Sequence, residues 1–294
     1  MPNVISIIAS KMLRHIVKWW TGYAGVLLVI VFWAINWCAP GLRTHWAFFP
    51  LWLGYILCVD VVGSYRGRPS MICGNWTNLG KLFLISIPVW WLFEWINDRA
   101  EYWNYLPEDV FTPLEHAFWS TVCFSTVVPA ILVTANTLWS FKCFHQHRVR
   151  WQTGSTTQGR TIYLIIGAVL LIALLVWPEY GMASMWISLF FIVAPVNVML
   201  RRPSLMKFTS NGDWRLVLLL FAAALICGVF WEMWNMYAWP KWVYTFPYLD
   251  QYKIFEMPVA GYLGYLPFGL DVWALTALIF PGVLRPLIPG EQAK

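Results

Sequence analysis

Charge is what this chain has least of. Only 12% of its residues are Asp, Glu, Lys or Arg, while 60% are hydrophobic; a soluble domain carries roughly 25% charged residues. That excludes an ordinary water-soluble fold and leaves a bilayer as the solvent. Histidine is scarce as well, at 5 residues, and none completes the Glu-x-x-His pattern of di-iron bundles. His116 stands beside Glu115 without a counterpart elsewhere, so neither a metal nor a cofactor is expected. The 6 cysteines form no framework: Cys38, Cys58, Cys123 and Cys227 fall in apolar runs, and Cys73 and Cys143 in connecting loops. They read as packing residues.

What is present is long apolar sequence. Runs of about 20 residues, enough to cross about 30 Å of hydrocarbon, lie at 20–38, 46–63, 80–98, 114–141, 161–178, 184–200, 214–236 and 255–284. Backbone groups find no partner in lipid, so helices are the expected spanning structure. The fold predicted is an all-α, polytopic transmembrane bundle of about eight spans. The first run is long and no small-residue cleavage site follows it, which makes it a span and not a signal peptide. With the N-terminus inside, all but Arg43, Arg99, Lys241 and Lys253 of the 20 Lys and Arg residues fall on the same side. The positive-inside rule then places both termini in the cytoplasm, with a bacterial inner membrane as the expected location. A basic cytoplasmic rim against anionic headgroups accounts for the net charge of +6, so membrane lipid is a partner and nucleic acid is not.

The chain is also rich in tryptophan, at 22 residues, and it says nearly the same thing twice. Glu94-x-x-Asn97 followed by Trp103-x-Tyr105 returns as Glu232-x-x-Asn235 followed by Trp242-x-Tyr244, about 138 residues later. Upstream, Trp52 and Arg68-Pro69-Ser70 are answered by Trp186 and Arg202-Pro203-Ser204, 134 residues on. An internal duplication follows: a first four-helix repeat over 1–144, a basic linker over 145–160 and a second four-helix repeat over 161–294. An even number of spans per copy makes the repeats parallel, related by an axis along the membrane normal.

Glu and Asn three residues apart share a helix face, near the extracytoplasmic ends of the third and seventh spans. An ionisable group in a span costs of order 2–3 kcal/mol, so it turns to the bundle interior and marks a site or a polar contact between repeats. Glu115 and Glu256 open the fourth and eighth spans, where helix capping is the plain alternative to a functional role. Asn97, Trp103, Tyr105, Asn235, Trp242 and Tyr244 are the candidate substrate-binding set, because aromatic faces beside carboxylates hold a cation or a conjugated polyene, or fold down as a lid. Trp19, Trp20, Trp33, Trp37, Trp139 and Trp177 read as interfacial anchors. Asp60 and Asp271 are unduplicated acids within spans, open to a polar pairing or a relay.

A duplicated membrane domain with Trp103-x-Tyr105 ahead of Pro113-x-Glu115, and Trp242-x-Tyr244 ahead of Glu256, resembles the integral-membrane lycopene cyclases of bacteria, archaea and fungi. The resemblance implies a redox-neutral ring closure of a linear carotenoid, an intramolecular lyase or isomerase reaction. It makes Glu115 and Glu256 the proton donors; the residue patterns themselves put Glu94 and Glu232 in that role. Two other readings stay open. One is an accessory subunit that binds lipid or pigment beside membrane-protein partners; the other is a parallel-repeat transporter with acids lining its cavity.

Overall fold

Backbone groups in hydrocarbon must bond within their own segment, and among the described residues the apolar runs do so as eight helical spans: Ile16–Cys38, Thr44–Tyr65, Trp76–Ala100, Pro113–Leu138, Thr157–Val176, Met182–Met199, Arg215–Asn235 and Val259–Ile279. All are long and apolar enough to cross a membrane, and the chain is an all-α integral-membrane bundle. The computed structural model describes residues 4–72, 76–145, 152–246 and 251–289, with side chains from residue 16. Cys73 and linker residues 146–151 lie outside the described residues.

Two spans are interrupted. The fourth consists of helices Pro113–Phe124 and Val127–Leu138, and the sixth of Met182–Met185 and Ser188–Met199. In the fourth, Pro129 has no N–H for the carbonyl of Ser125, and the break is repaired from the third span: the Ser86 hydroxyl donates to Phe124 O and accepts from Val128 N, the latter at 3.0 Å.

The core lies among the second, third, fourth, sixth, seventh and eighth spans, with the first and fifth packed on its outside. Small residues let the outer helices approach closely. A Cβ at Gly54 would come within 2.8 Å of Gly25 O on the first span, and one at Gly167 on the fifth within 3.0 Å of Ile192 N on the sixth.

Contacts between the halves are reciprocal. Trp52 packs on Trp231, the residue before Glu232, with ring centroids 4.9 Å apart; Trp186 stacks on Phe93, the residue before Glu94, at 5.6 Å. The second and sixth spans also end alike. Gly67 (φ 85°) and Arg201 (φ 57°) are both left-handed, and the next amides bond back five residues, Arg68 N to Gly63 O at 2.9 Å and Arg202 N to Asn197 O at 2.8 Å. This is a Schellman ending, which favours glycine at the left-handed position. The second half carries arginine there instead.

Several expectations are corrected. Trp139 is not an interfacial anchor: it is buried, with the guanidinium groups of Arg68 and Arg215 over its ring at 5.8 and 5.7 Å. Trp37 donates its indole N–H to Trp234 O at 3.4 Å, and the ring of Trp33 packs edge-on to Trp234 at 5.8 Å, so both tie the first span to the seventh. Asp60 is a structural acceptor, taking Met71 N at 2.8 Å and the Ser70 hydroxyl. Both oxygens of Asp271 are buried and have no hydrogen-bond partner among the described residues, the Phe190 amide facing them outside good hydrogen-bond geometry. The eighth span begins at Val259, because residues 253–258 form a minimal hairpin first.

Candidate functional site

The third span ends one turn beyond its Glu-x-x-Asn pair and the seventh on the asparagine itself, and each asparagine clamps the strand that follows. Asn97 Nδ2 donates to Trp103 O at 2.8 Å, while its Oδ1 accepts from Tyr102 N at 2.9 Å and Trp103 N at 3.2 Å. Asn235 Nδ2 donates to Trp242 O at 2.7 Å and its Oδ1 accepts from Trp242 N at 3.0 Å. An amide side chain can donate to a carbonyl and accept from an N–H at the same point. The strands so fixed, β1 (Trp103–Leu106) and β2 (Lys241–Tyr244), pair antiparallel, with Trp103 opposite Tyr244 and Tyr105 opposite Trp242.

This pairing returns each tyrosine to the glutamate of its own half. Tyr105 OH donates to Glu94 Oε1 at 2.6 Å and Tyr244 OH to Glu232 Oε1 at 2.7 Å. Both phenols titrate well above the usual tyrosine value, first because they are buried and then because a carboxylate lies beside them. They therefore stay protonated and act as donors through the physiological range.

The rest of each carboxylate's surroundings differs. Glu94 Oε1 also takes the indole N–H of Trp90 at 2.7 Å and of Trp103 at 3.4 Å. Gly228 stands in the second half where the first has Trp90, and the space belongs to Tyr265 of the eighth span, whose ring atom Cδ2 would lie 2.4 Å from a Cβ at Gly228. Tyr265 OH donates to Glu232 Oε1 at 2.6 Å in place of the missing indole. Glu232 is fully buried, and its Oε2 has no hydrogen-bond partner among the described residues.

In front of these groups opens a cavity of about 630 Å³, within the range of small-molecule sites. Its wall includes Trp90, Trp103, Trp186, Trp231, Trp242 and Tyr265 from both halves, with Tyr105 and Tyr244 between them. His45 is held at the wall edge-on to Phe111 and Trp119, each with its centroid at 5.0 Å. No protein-family model, curated protein or solved structure matches the chain. What the site does must be read from this geometry.

The structure gathers Glu94, Asn97, Trp103, Tyr105, Glu232, Asn235, Trp242 and Tyr244 around one cavity, with the glutamates behind the tyrosines and not on the wall. The other two acids stand apart. Glu115 is exposed and forms a capping box, its N–H bonded to the Thr112 hydroxyl at 3.4 Å and its carboxylate to Thr112 N at 2.9 Å. Glu256 does not open the eighth span: it sits at the turn of the hairpin β3 (Lys253–Ile254) and β4 (Met257–Pro258), ion-paired with Lys241. Among the described residues no group of three or more His, Cys, Asp or Glu is gathered as a metal site. Sequence reasoning missed Trp90, Trp186 and Tyr265 as wall residues. The repeat spacing marks Trp186 as the counterpart of Trp52 but not as a wall residue, and it marks neither of the others, because Tyr265 replaces Trp90 from a different helix.

Proposed function

We propose that this integral membrane protein holds a hydrophobic, isoprenoid-type molecule, such as a linear polyene pigment, in the aromatic cavity between its halves. The observation that carries the reading is the cavity itself: about 630 Å³, walled by indole and phenol rings contributed by both halves. Flat aromatic faces suit a conjugated chain, which offers dispersion and π contact but few hydrogen bonds. Two parallel four-helix repeats related by an axis along the membrane normal would explain why the Trp52–Trp231 and Trp186–Phe93 contacts are reciprocal. The basic loops support cytoplasmic termini in a bacterial inner membrane.

Binding is better supported than ring closure. Cyclisation by protonation needs a carboxylic acid within reach of a double bond, and the described wall residues include Glu108 and Asp109 but none of the candidate acids Glu94, Glu115, Glu232 and Glu256. Glu94 and Glu232 meet the cavity only through the phenols and indoles that donate to them. The test is purification from the native membrane in nanodiscs, with mass spectrometry and an absorption spectrum of what accompanies the protein. A stoichiometric isoprenoid that is lost in a wall variant such as Trp242→Ala supports the reading. Fixed protein partners and no small molecule would make the chain an accessory subunit instead.

A further inference from the structure

Charge around the cavity is one-sided. Glu108 and Asp109 line it, Glu94 and Glu232 stand one tyrosine hydroxyl behind its wall, and Lys241, the one Lys or Arg among its described wall residues, is ion-paired with Glu256. Neither Glu94 nor Glu232 has an ion-pair partner among the described residues. Donors converge on one oxygen of each, three on Glu94 and two on Glu232, an arrangement that would stabilise the carboxylate form when a cation arrives beside it.

The tyrosines between these acids and the cavity have their hydrogens committed to the carboxylates. Tyr105 and Tyr244 are therefore left to accept and not to donate, and Tyr244 already accepts from the Trp242 indole at 3.1 Å. Aromatic faces carry negative charge at their centres and attract cations. A wall of such rings, backed by carboxyl groups with no ion-pair partner among the described residues, is a poor place for an anion. It favours positive charge.

We infer that the cavity takes an apolar chain ending in a cationic group, a quaternary or protonated amine, whose charge sits against the aromatic wall in front of Glu94 and Glu232. This rests on the reading of the cavity as the ligand site, and adds to it the charge of the ligand. The apolar tail answers the rings; the head answers the acids that no protein cation neutralises.

The probes are dodecyltrimethylammonium and its neutral carbon isostere, 2,2-dimethyltetradecane, titrated into the full-length protein in nanodiscs of zwitterionic lipid. Quenching or shift of indole emission reports occupancy, with Trp242→Ala as the control for partition into lipid. The expected result is an affinity at least about tenfold higher for the cation, a difference of about 1.4 kcal/mol, with that ratio falling toward one in Glu94→Gln/Glu232→Gln. Glutamine keeps the shape and an acceptor oxygen, and Glu94→Gln alone serves if the double variant does not fold. Equal binding of both probes overturns the inference and leaves the cavity reading standing. A cation preference that survives both glutamine substitutions overturns the role given to the carboxylates. Binding of neither probe overturns the inference together with the cavity reading.

Discussion

Asn97→Ala destabilises the protein more than Asn235→Ala, although the two asparagines do the same task at equivalent places. Asn97 makes three hydrogen bonds to the backbone of Tyr102 and Trp103, both buried, whereas Asn235 makes two to Trp242, which is half-buried. Each bond is worth about 1 kcal/mol net, and more when the abandoned partner is cut off from water. Truncating Asn97 leaves two N–H groups and a carbonyl without their partner in a dry site, for a cost of about 3 kcal/mol. At Trp242 water takes up part of the loss, and about 1 kcal/mol is expected. For a chain of this size each kcal/mol moves the unfolding midpoint by about 2 °C. Thermal unfolding followed by tryptophan emission in one detergent should thus place Asn97→Ala about 6 °C and Asn235→Ala about 2 °C below wild type. Equal shifts, or the reverse order, would refute the reasoning that burial of the clamped backbone sets the cost.

Four further outcomes follow from the same geometry. Replacing Arg201 by glycine stabilises by about 1 kcal/mol, because a left-handed position without a Cβ carries no strain; Gly67→Ala moves thermal stability the other way. Tyr105→Phe weakens the protein at neutral pH by about 2 kcal/mol, the worth of a hydrogen bond to a carboxylate. Its alkaline profile should also be flatter: the folded-state value of this phenol is raised above 10, so the stability it contributes is whole below pH 10 and is lost as pH climbs above it. An unchanged alkaline slope in that variant would sink the assignment. Thr112→Ala, which breaks the capping box, costs about 1 kcal/mol and leaves cavity occupancy as it was, read by indole emission with the cationic probe.

The membrane character and the number of spans were legible in composition and run length alone, because the bilayer allows few solutions: about 20 apolar residues, hydrogen-bonded within themselves, make a helix. The equal spacing of Glu-x-x-Asn and Trp-x-Tyr in the two halves marked the residues of the site, since a clamp of this kind needs an amide one turn beyond the acid and a strand a few residues on. Short-range rules also covered Glu115, whose capping box is written in Thr112-Pro-Leu-Glu115 itself. What no pattern along the chain contained was which residues meet across it. The antiparallel pairing of Trp103–Leu106 with Lys241–Tyr244, the packing of Arg68 and Arg215 on Trp139 and the replacement of Trp90 by Tyr265 beside Gly228 all join segments far apart in sequence. Helix period and hydropathy report a segment's own burial and geometry; whether a carboxylate faces a cavity or stands behind a phenol is set by the neighbours that packing brings to it, and only the tertiary structure decided that.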